Sequence, residues 1–167
     1  MAIILITGGA RSGKSRRAET RAREFKGRPV YIATAEALDA EMSERIARHR
    51  ERRGSEWLER ETPIELVAAL DETDGGSARL VDCLTLWLSN LMHAERDIEH
   101  EAARLAEALS RQQSPVVLVT NEVGLGIVPD NALARRFRDA AGLLNQHIAR
   151  AADEVEFVIA GLPMRVK

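Results

Sequence analysis

The sequence holds a single cysteine, Cys83, among its 167 residues. That excludes an internal disulfide framework and a cysteine-built zinc site, and it fits a reducing compartment. Aromatic residues are nearly as scarce. Two Trp, one Tyr and three Phe cannot supply the interleaved rings on which single-stranded nucleic acid stacks. Nor is there an excess of positive charge: 24 Lys and Arg stand against 26 Asp and Glu, for a formal net charge of -2, whereas a dedicated nucleic-acid-binding domain is ordinarily strongly basic. No apolar run reaches the roughly 18 residues of a membrane-crossing helix, and the opening AIILI is short and lacks a basic leader before it. The chain is therefore expected to be cytoplasmic, without a membrane span and without a nucleic-acid partner. What is abundant is apolar content, 45% of the residues, enough to give one domain spanning residues 1–167 its own core.

Short apolar runs alternate with longer stretches of helical period, the pattern of a doubly wound α/β fold with a mostly parallel sheet flanked by helices. Ala2 to Thr7, Pro29 to Ala33, Arg79 to Asp82, Val116 to Thr120 and Val155 to Ala160 are the expected strands. They lack strict alternation, as strands buried on both faces should. Helices are expected over Lys14 to Phe25, Ala40 to Arg53, Ile64 to Leu70, Leu84 to His93, Glu99 to Arg111 and Asn131 to Ala152, with Asp130 as an N-cap after Pro129. Glu56 to Glu61 has the composition of an extra edge strand, and Asp71 to Ser77 (DETDGGS) that of a solvated turn.

The first strand runs into Gly8-Gly9-Ala10-Arg11-Ser12-Gly13-Lys14-Ser15, a glycine, four residues, then Gly-Lys-Ser, in the strand-to-helix setting of a P-loop. Glycines let the backbone curl so that its N–H groups face phosphate oxygens, and the helix starting near Lys14 adds its positive end. Lys14 is expected to reach the outer phosphates, and the Ser15 hydroxyl to ligate Mg²⁺. Such a metal needs an acidic partner at the carboxyl edge of the sheet. Asp82, closing its strand, fits that place if the strand neighbours the first, although the same residue could merely cap the following helix. The fourth strand ends in Thr120-Asn121-Glu122-Val123-Gly124-Leu125-Gly126. There Glu122 could bind metal or acceptor, or the loop could simply turn the chain.

The segment ERIARHRERRG, residues 44 to 54, surrounds His49 with five arginines. A helical step of about 100° per residue puts Arg45, His49 and Arg52 on one stripe. Positive neighbours disfavour the imidazolium, which leaves a neutral, nucleophilic ring, and the guanidinium groups suit a polyphosphate. A solvated charged face, paired through Glu41, Glu44 and Glu51, accounts for the same residues.

GGARSGKS, YIATA, DAEMSERIARHRERRG, VDCLTLWLSNL and TNEVGLGIVPDNALARRFRDAAGLLNQ together resemble the bifunctional adenosylcobinamide kinase and adenosylcobinamide-phosphate guanylyltransferase of cobalamin biosynthesis. The resemblance runs over essentially the whole chain. It implies a nucleoside triphosphate, ATP or GTP, that phosphorylates adenosylcobinamide, and a GMP carried from GTP to adenosylcobinamide phosphate on a histidine. The matching histidine is His49. Nucleotide contacts carry over to Gly8 through Ser15, to Ala33, Thr34 and Ala35, to Arg50, Glu51, Arg52 and Arg53, and to Glu61 and Asp82. The resemblance also implies a homotrimer, with the acceptor in a groove between subunits.

Overall fold

In the computed structural model, which describes residues 1–36, 40, 43, 44, 47, 50, 51 and 54–167, every strand joins one sheet. The elements in chain order are β1 (Ile3–Gly8), α1 (Lys14–Arg23), β2 (Val30–Ala33), β3 (Leu58–Glu61), α2 (Leu66–Glu72), β4 (Arg79–Asp82), α3 (Leu84–His93), α4 (Ile98–Arg111), β5 (Val116–Asn121), α5 (Ala132–Ala151), β6 (Glu154–Ile159) and β7 (Leu162–Arg165). The strands lie in the order β3-β2-β4-β5-β1-β6-β7. All neighbours pair in parallel except β6 and β7.

Alternation along each strand distributes side chains to two cores. Ile3 and Leu5 of β1, Val30 and Ile32 of β2, and Val116 and Leu118 of β5 meet Leu66, Trp87, Leu105 and Leu144, so α2 to α5 cover that face. Ile4, Ile6, Tyr31, Val117 and Val119 point the other way, onto Ala18 and Ala22 of α1 and onto Trp57. Each large aliphatic side chain so buried stabilises the fold by about 1.5–3 kcal/mol before chain entropy is counted. Both sets are apolar, which explains why the strands read as unbroken hydrophobic runs.

Several boundaries differ from expectation. α3 has the expected span, whereas α5 is capped by Asn131 and not by Asp130: the Asn131 side-chain oxygen accepts from Ala134 N–H at 2.7 Å. Asp130 is held otherwise, its carbonyl taken by the Arg135 guanidinium. The edge strand expected over Glu56 to Glu61 forms at Leu58–Glu61, with charged residues exposed along it, as a free sheet edge favours. β7 was not among the expected strands, and its Pro163 and the preceding Gly161 are residue types that ordinarily disfavour a strand. Proline is tolerated there because β7 is at the sheet edge. DETDGGS is not wholly solvated either. Asp74 reaches inward to the fully buried Arg79 at the start of β4, 2.8 Å away, and accepts from the N–H groups of Gln113 and Ser114. Arg79 also donates to the Ser114 carbonyl at 2.8 Å. This ion pair fastens the amino edge of the sheet, opposite the edge at which the motifs collect.

Candidate active site

β1 ends at Gly8 and α1 begins at Lys14, so residues 8–13 form the turn that the P-loop pattern requires. Gly13 sits at the helix start with φ 96°, a left-handed conformation that L side chains rarely adopt. A Cβ there would also come within 3.2 Å of the Gly161 Cα. That closeness has a partner interaction: Gly161 N–H donates to the Ser12 carbonyl at 2.8 Å, so the turn between β6 and β7 clasps the loop from outside. Within the loop, Ser12 N–H reaches the Gly9 carbonyl at 3.3 Å and the Lys14 ammonium donates to the same carbonyl at 3.1 Å. Lysine thus lies along the turn. The Ser12 and Thr7 hydroxyl oxygens are buried and have no hydrogen-bond partner among the described residues. Buried polar atoms seldom stay that way, and a loop that takes an oxyanion-rich ligand is a reasonable place to find them.

Three expected site residues share one rung. Ala33 is in register with Glu61 of β3 on one side and with Asp82 of β4 on the other, so all three end their strands at the carboxyl edge. Asp82 does not, however, stand on a strand neighbouring β1. β5 lies between, because the chain places its fifth strand in the centre of the sheet. The acidic group therefore faces the cradle across the end of β5. Tyr31 sets it in place by donating its hydroxyl to Asp82 Oδ2 at 3.0 Å. Asp82 does not cap α3 either; the residue at the helix start is Cys83, which makes no side-chain cap. Burial, then the neighbouring Asp82 charge, pushes the Cys83 thiol up to about 11, which leaves it protonated and inert at neutral pH.

Thr34 is fully buried, and its hydroxyl is committed to backbone. It donates to the Cys83 carbonyl at 2.7 Å and accepts from the Cys83 N–H at 2.8 Å. Asn90 of α3 donates to the Thr34 carbonyl and to that of Pro63. Thr34 therefore splices the ends of β2 and β4, leaving the half-buried Ala33 and Ala35 on either side of it.

Of the arginine segment, Arg50 and Glu51 have helical backbone. His49, Arg52 and Arg53 lie outside the described residues. Arg50 spans to the edge strand, where its guanidinium meets Glu59 at 2.6 Å and Glu61 at 2.9 Å. The Glu59 hydrogen bond, with the charges of both carboxylates, raises its pKa further. The structure thus joins two expected nucleotide contacts, Arg50 and Glu61, into an ion pair.

Thr120 was expected at this edge only as the end of its strand, and Tyr31, Thr85 and Asn145, although inside the segments quoted for the family resemblance, were assigned no role. Each matters through a hydrogen bond to a residue distant in sequence. No group of three or more described His, Cys, Asp or Glu residues forms a ready metal cage. Mg²⁺ beside a nucleotide needs less, since one or two protein ligands complement phosphate oxygens and water. Ser15 in the first turn of α1 and Asp82 are of that kind, and a carboxylate offers about four acceptor sites, of which Tyr31 occupies one. The assembly can hold a polyphosphate and its metal at the end of a central strand. Among the described residues, no helix is long and apolar enough to cross a membrane.

Comparison with known proteins agrees in family and in fold. Residues 4–166 match the family model described as cobinamide kinase / cobinamide phosphate guanyltransferase. The bifunctional adenosylcobalamin biosynthesis protein CobP of Pseudomonas aeruginosa is 49% identical over 98% of this chain and 96% of its own length. CobU of Salmonella typhimurium, with the same description, is 42% identical over 99% of each chain. Among solved structures, a type III secretion system ATPase superposes with a TM-score of 0.59 at 10% identity, over 98% of this chain and 56% of that one. The flagellar accessory protein FlaH of Methanocaldococcus jannaschii gives 0.56 at 13% identity, over 99% and 78%. At such identities the likeness speaks for the α/β fold alone.

Proposed function

The chain belongs to the cobinamide kinase / cobinamide phosphate guanyltransferase family, bifunctional enzymes of adenosylcobalamin biosynthesis, and from that premise we propose the two reactions it performs. In the first, ATP or GTP gives its γ-phosphoryl group to the hydroxyl on the aminopropanol arm of adenosylcobinamide. In the second, the His49 imidazole attacks the α-phosphorus of GTP, pyrophosphate leaves, and the GMP so held passes to adenosylcobinamide phosphate, giving adenosylcobinamide-GDP. The observation that carries this reading is the cradle itself, a P-loop closed by Gly161 in a chain whose family uses nucleotides for both kinds of transfer.

The residues divide the work. Backbone N–H groups of Gly8 to Gly13 and the start of α1 face the phosphates, and the Lys14 ammonium leaves the Gly9 carbonyl for an outer phosphate. Ala10, Arg11 and Ser12 supply the turn. Ser15 and Asp82 would hold Mg²⁺, which when bound offsets the charge of the bridging phosphate oxygens. Arg50 and Glu51, with Arg52 and Arg53, belong to the segment that brings His49 to the nucleotide. Exchange of Glu61 for a phosphate oxygen would free the Arg50 guanidinium for bidentate contact. Ala33, Thr34 and Ala35 bound the nucleotide on the β2 side, Thr34 through its backbone position.

The chain works in this proposal as a single catalytic domain, residues 1–167, in the cytoplasm and as a homotrimer, with no nucleic-acid partner. The deciding experiment is to incubate the protein with α-labelled GTP and Mg²⁺, denature it and look for retained label. A GMP adduct that is acid-labile and alkali-stable, the behaviour of a phosphoramidate, is expected. Absence of an adduct, or one that survives mild acid, sinks the histidine intermediate.

A further inference from the structure

β5 outlasts its neighbour. β4 pairs with it as far as Asp82 opposite Val119 and then turns into α3, whereas β1 continues until Gly8 stands opposite Asn121. On the β1 side, Glu122 N–H donates to the Gly8 carbonyl at 3.0 Å. Successive peptide groups of a parallel strand bond alternately to its two neighbours. The N–H and C=O of Asn121 therefore face the side from which β4 has departed, and buried peptide groups require partners.

Three side chains replace the missing strand. Asn121 N–H donates to Thr85 Oγ1 at 2.7 Å. The Thr120 hydroxyl donates to Asn145 Oδ1 at 2.8 Å, and Asn145 Nδ2 returns to the Asn121 carbonyl at 3.3 Å. The Thr85 and Thr120 oxygens are 3.4 Å apart. Because the one proton of Thr120 is spent on Asn145, Thr85 is the donor in that contact. The bonds form a ring that leaves Asn121 by its N–H and returns to its C=O, each bond polarising the next. Thr85 lies in the first turn of α3, three residues after Asp82, and Asn145 comes from α5. The ring thus couples the metal-side helix to the residue immediately before Glu122.

Glu61 and Asp82 end β3 and β4, and Glu122 follows β5; of these strands only β5 adjoins β1. We propose that Glu122 accepts the proton of the acceptor hydroxyl during phosphoryl transfer, and that Thr85, Thr120 and Asn145 are positioning residues that hold it beside the cradle. The proposal rests on the kinase half of the function given above. In the step, the acceptor O–H bond breaks and its proton passes to a Glu122 carboxylate oxygen. The acceptor oxygen bonds to the γ-phosphorus, and the bond from that phosphorus to the β,γ-bridging oxygen breaks, its electron pair leaving with the nucleoside diphosphate. Glu122 Oε1 accepts from the Gly124 N–H, one of about four acceptor sites on the carboxylate.

A double-mutant cycle tests this on the full-length protein, with fold checked by circular dichroism. Glu122→Gln keeps the shape and loses the basicity, and its kcat for cobinamide phosphorylation is expected to fall about 100-fold. Thr85→Val is expected to lose about 10-fold in kcat with nucleotide KM little changed, and Thr85→Ser to restore it. The double variant decides. If Thr85 acts through Glu122, adding Thr85→Val to Glu122→Gln costs nothing further, whereas a purely architectural threonine multiplies the two losses. Multiplied losses, or a Glu122→Gln protein with the original kcat, overturn the proposal. Slow phosphate release from ATP or GTP, with water in place of the acceptor, carries the same cycle. A protein that releases phosphate but never phosphorylates cobinamide would refute the assigned acceptor while the cycle still decides the role of Glu122.

Discussion

Asp82 answers to two partners, the Tyr31 hydroxyl in the structure and Mg²⁺ in the proposed reaction. Asp82→Asn keeps an oxygen for Tyr31 and removes the charge that a divalent cation needs. Its expected effect is a higher Mg²⁺ requirement for turnover, about 10-fold, with little change in thermal stability. A Mg²⁺ titration of activity checks this, and an unchanged midpoint would remove Asp82 from the metal site. Residues differ in how openly the sequence announces them. Lys14 and Ser15 stand out because their spacing from Gly8 is itself the motif, and the structure begins α1 at Lys14 as that motif requires. Asp82 was legible as a strand-ending acid, but its partner Tyr31 was not, since their contact arises from pairing two strands that lie far apart in the chain. The hydrogen-bonding roles of Thr85, Thr120 and Asn145 were invisible for a similar reason. Their role comes from the length by which β5 exceeds β4, a quantity no local pattern encodes.

The expected bounds match the structure in α3 and β4, and depart from it where one side chain chooses the boundary. Asn131 and Asp130 are both good caps, and the winner is the one whose oxygen reaches Ala134 N–H. At the other edge of the sheet, Asp74 joins the loop after α2 to the start of β4 and to the loop before β5. Burial works against its charge, but the N–H groups of Ser114, Gln113 and Gly75 and the Arg79 guanidinium hold its pKa down to about 2. An unfolded aspartate titrates near 3.9. Since the folded value is the lower one, the stability this carboxylate contributes is present above about pH 4 and is lost as pH falls through 2. Asp74→Asn should therefore weaken the protein at pH 7 and flatten the acid limb of its stability curve. Urea unfolding at several pH values measures both, and an unaltered acid limb would mean that other carboxylates govern acid unfolding. Asp74→Ala goes further by leaving Arg79 buried and unpaired, with an expected loss of about 3–5 kcal/mol.

For the molecule as a whole, the proposed function has one cradle present two different phosphorus atoms. In that proposal phosphoryl transfer cuts between the β- and γ-phosphates, guanylyl transfer between α and β, and the same turn holds the polyphosphate for both. Lys14→Ala should accordingly depress both activities by about 100-fold or more. His49→Ala should abolish the GMP adduct while phosphorylation of cobinamide persists at least in part, because that reaction needs no bond to imidazole. Measuring both rates in each variant separates shared from dedicated machinery; equal loss in the His49→Ala protein would mean that the two reactions are coupled through that residue. The architecture that makes this sharing possible was half legible. Alternating runs gave a parallel α/β fold, but the lateral order of the strands did not follow from them. That order decided that β5, and not β4, stands next to β1.

The bond from Gly161 to Ser12 also sets an order in time. A ribosome delivers the Gly8 to Ser15 turn before the rest of α1 and every later strand, whereas the turn that clasps it comes only after β6. A nascent chain thus exposes its phosphate-binding sequence long before it can close it. Nucleotide affinity should therefore follow completion of the β6–β7 hairpin, as a property of the clasped turn rather than of the motif by itself.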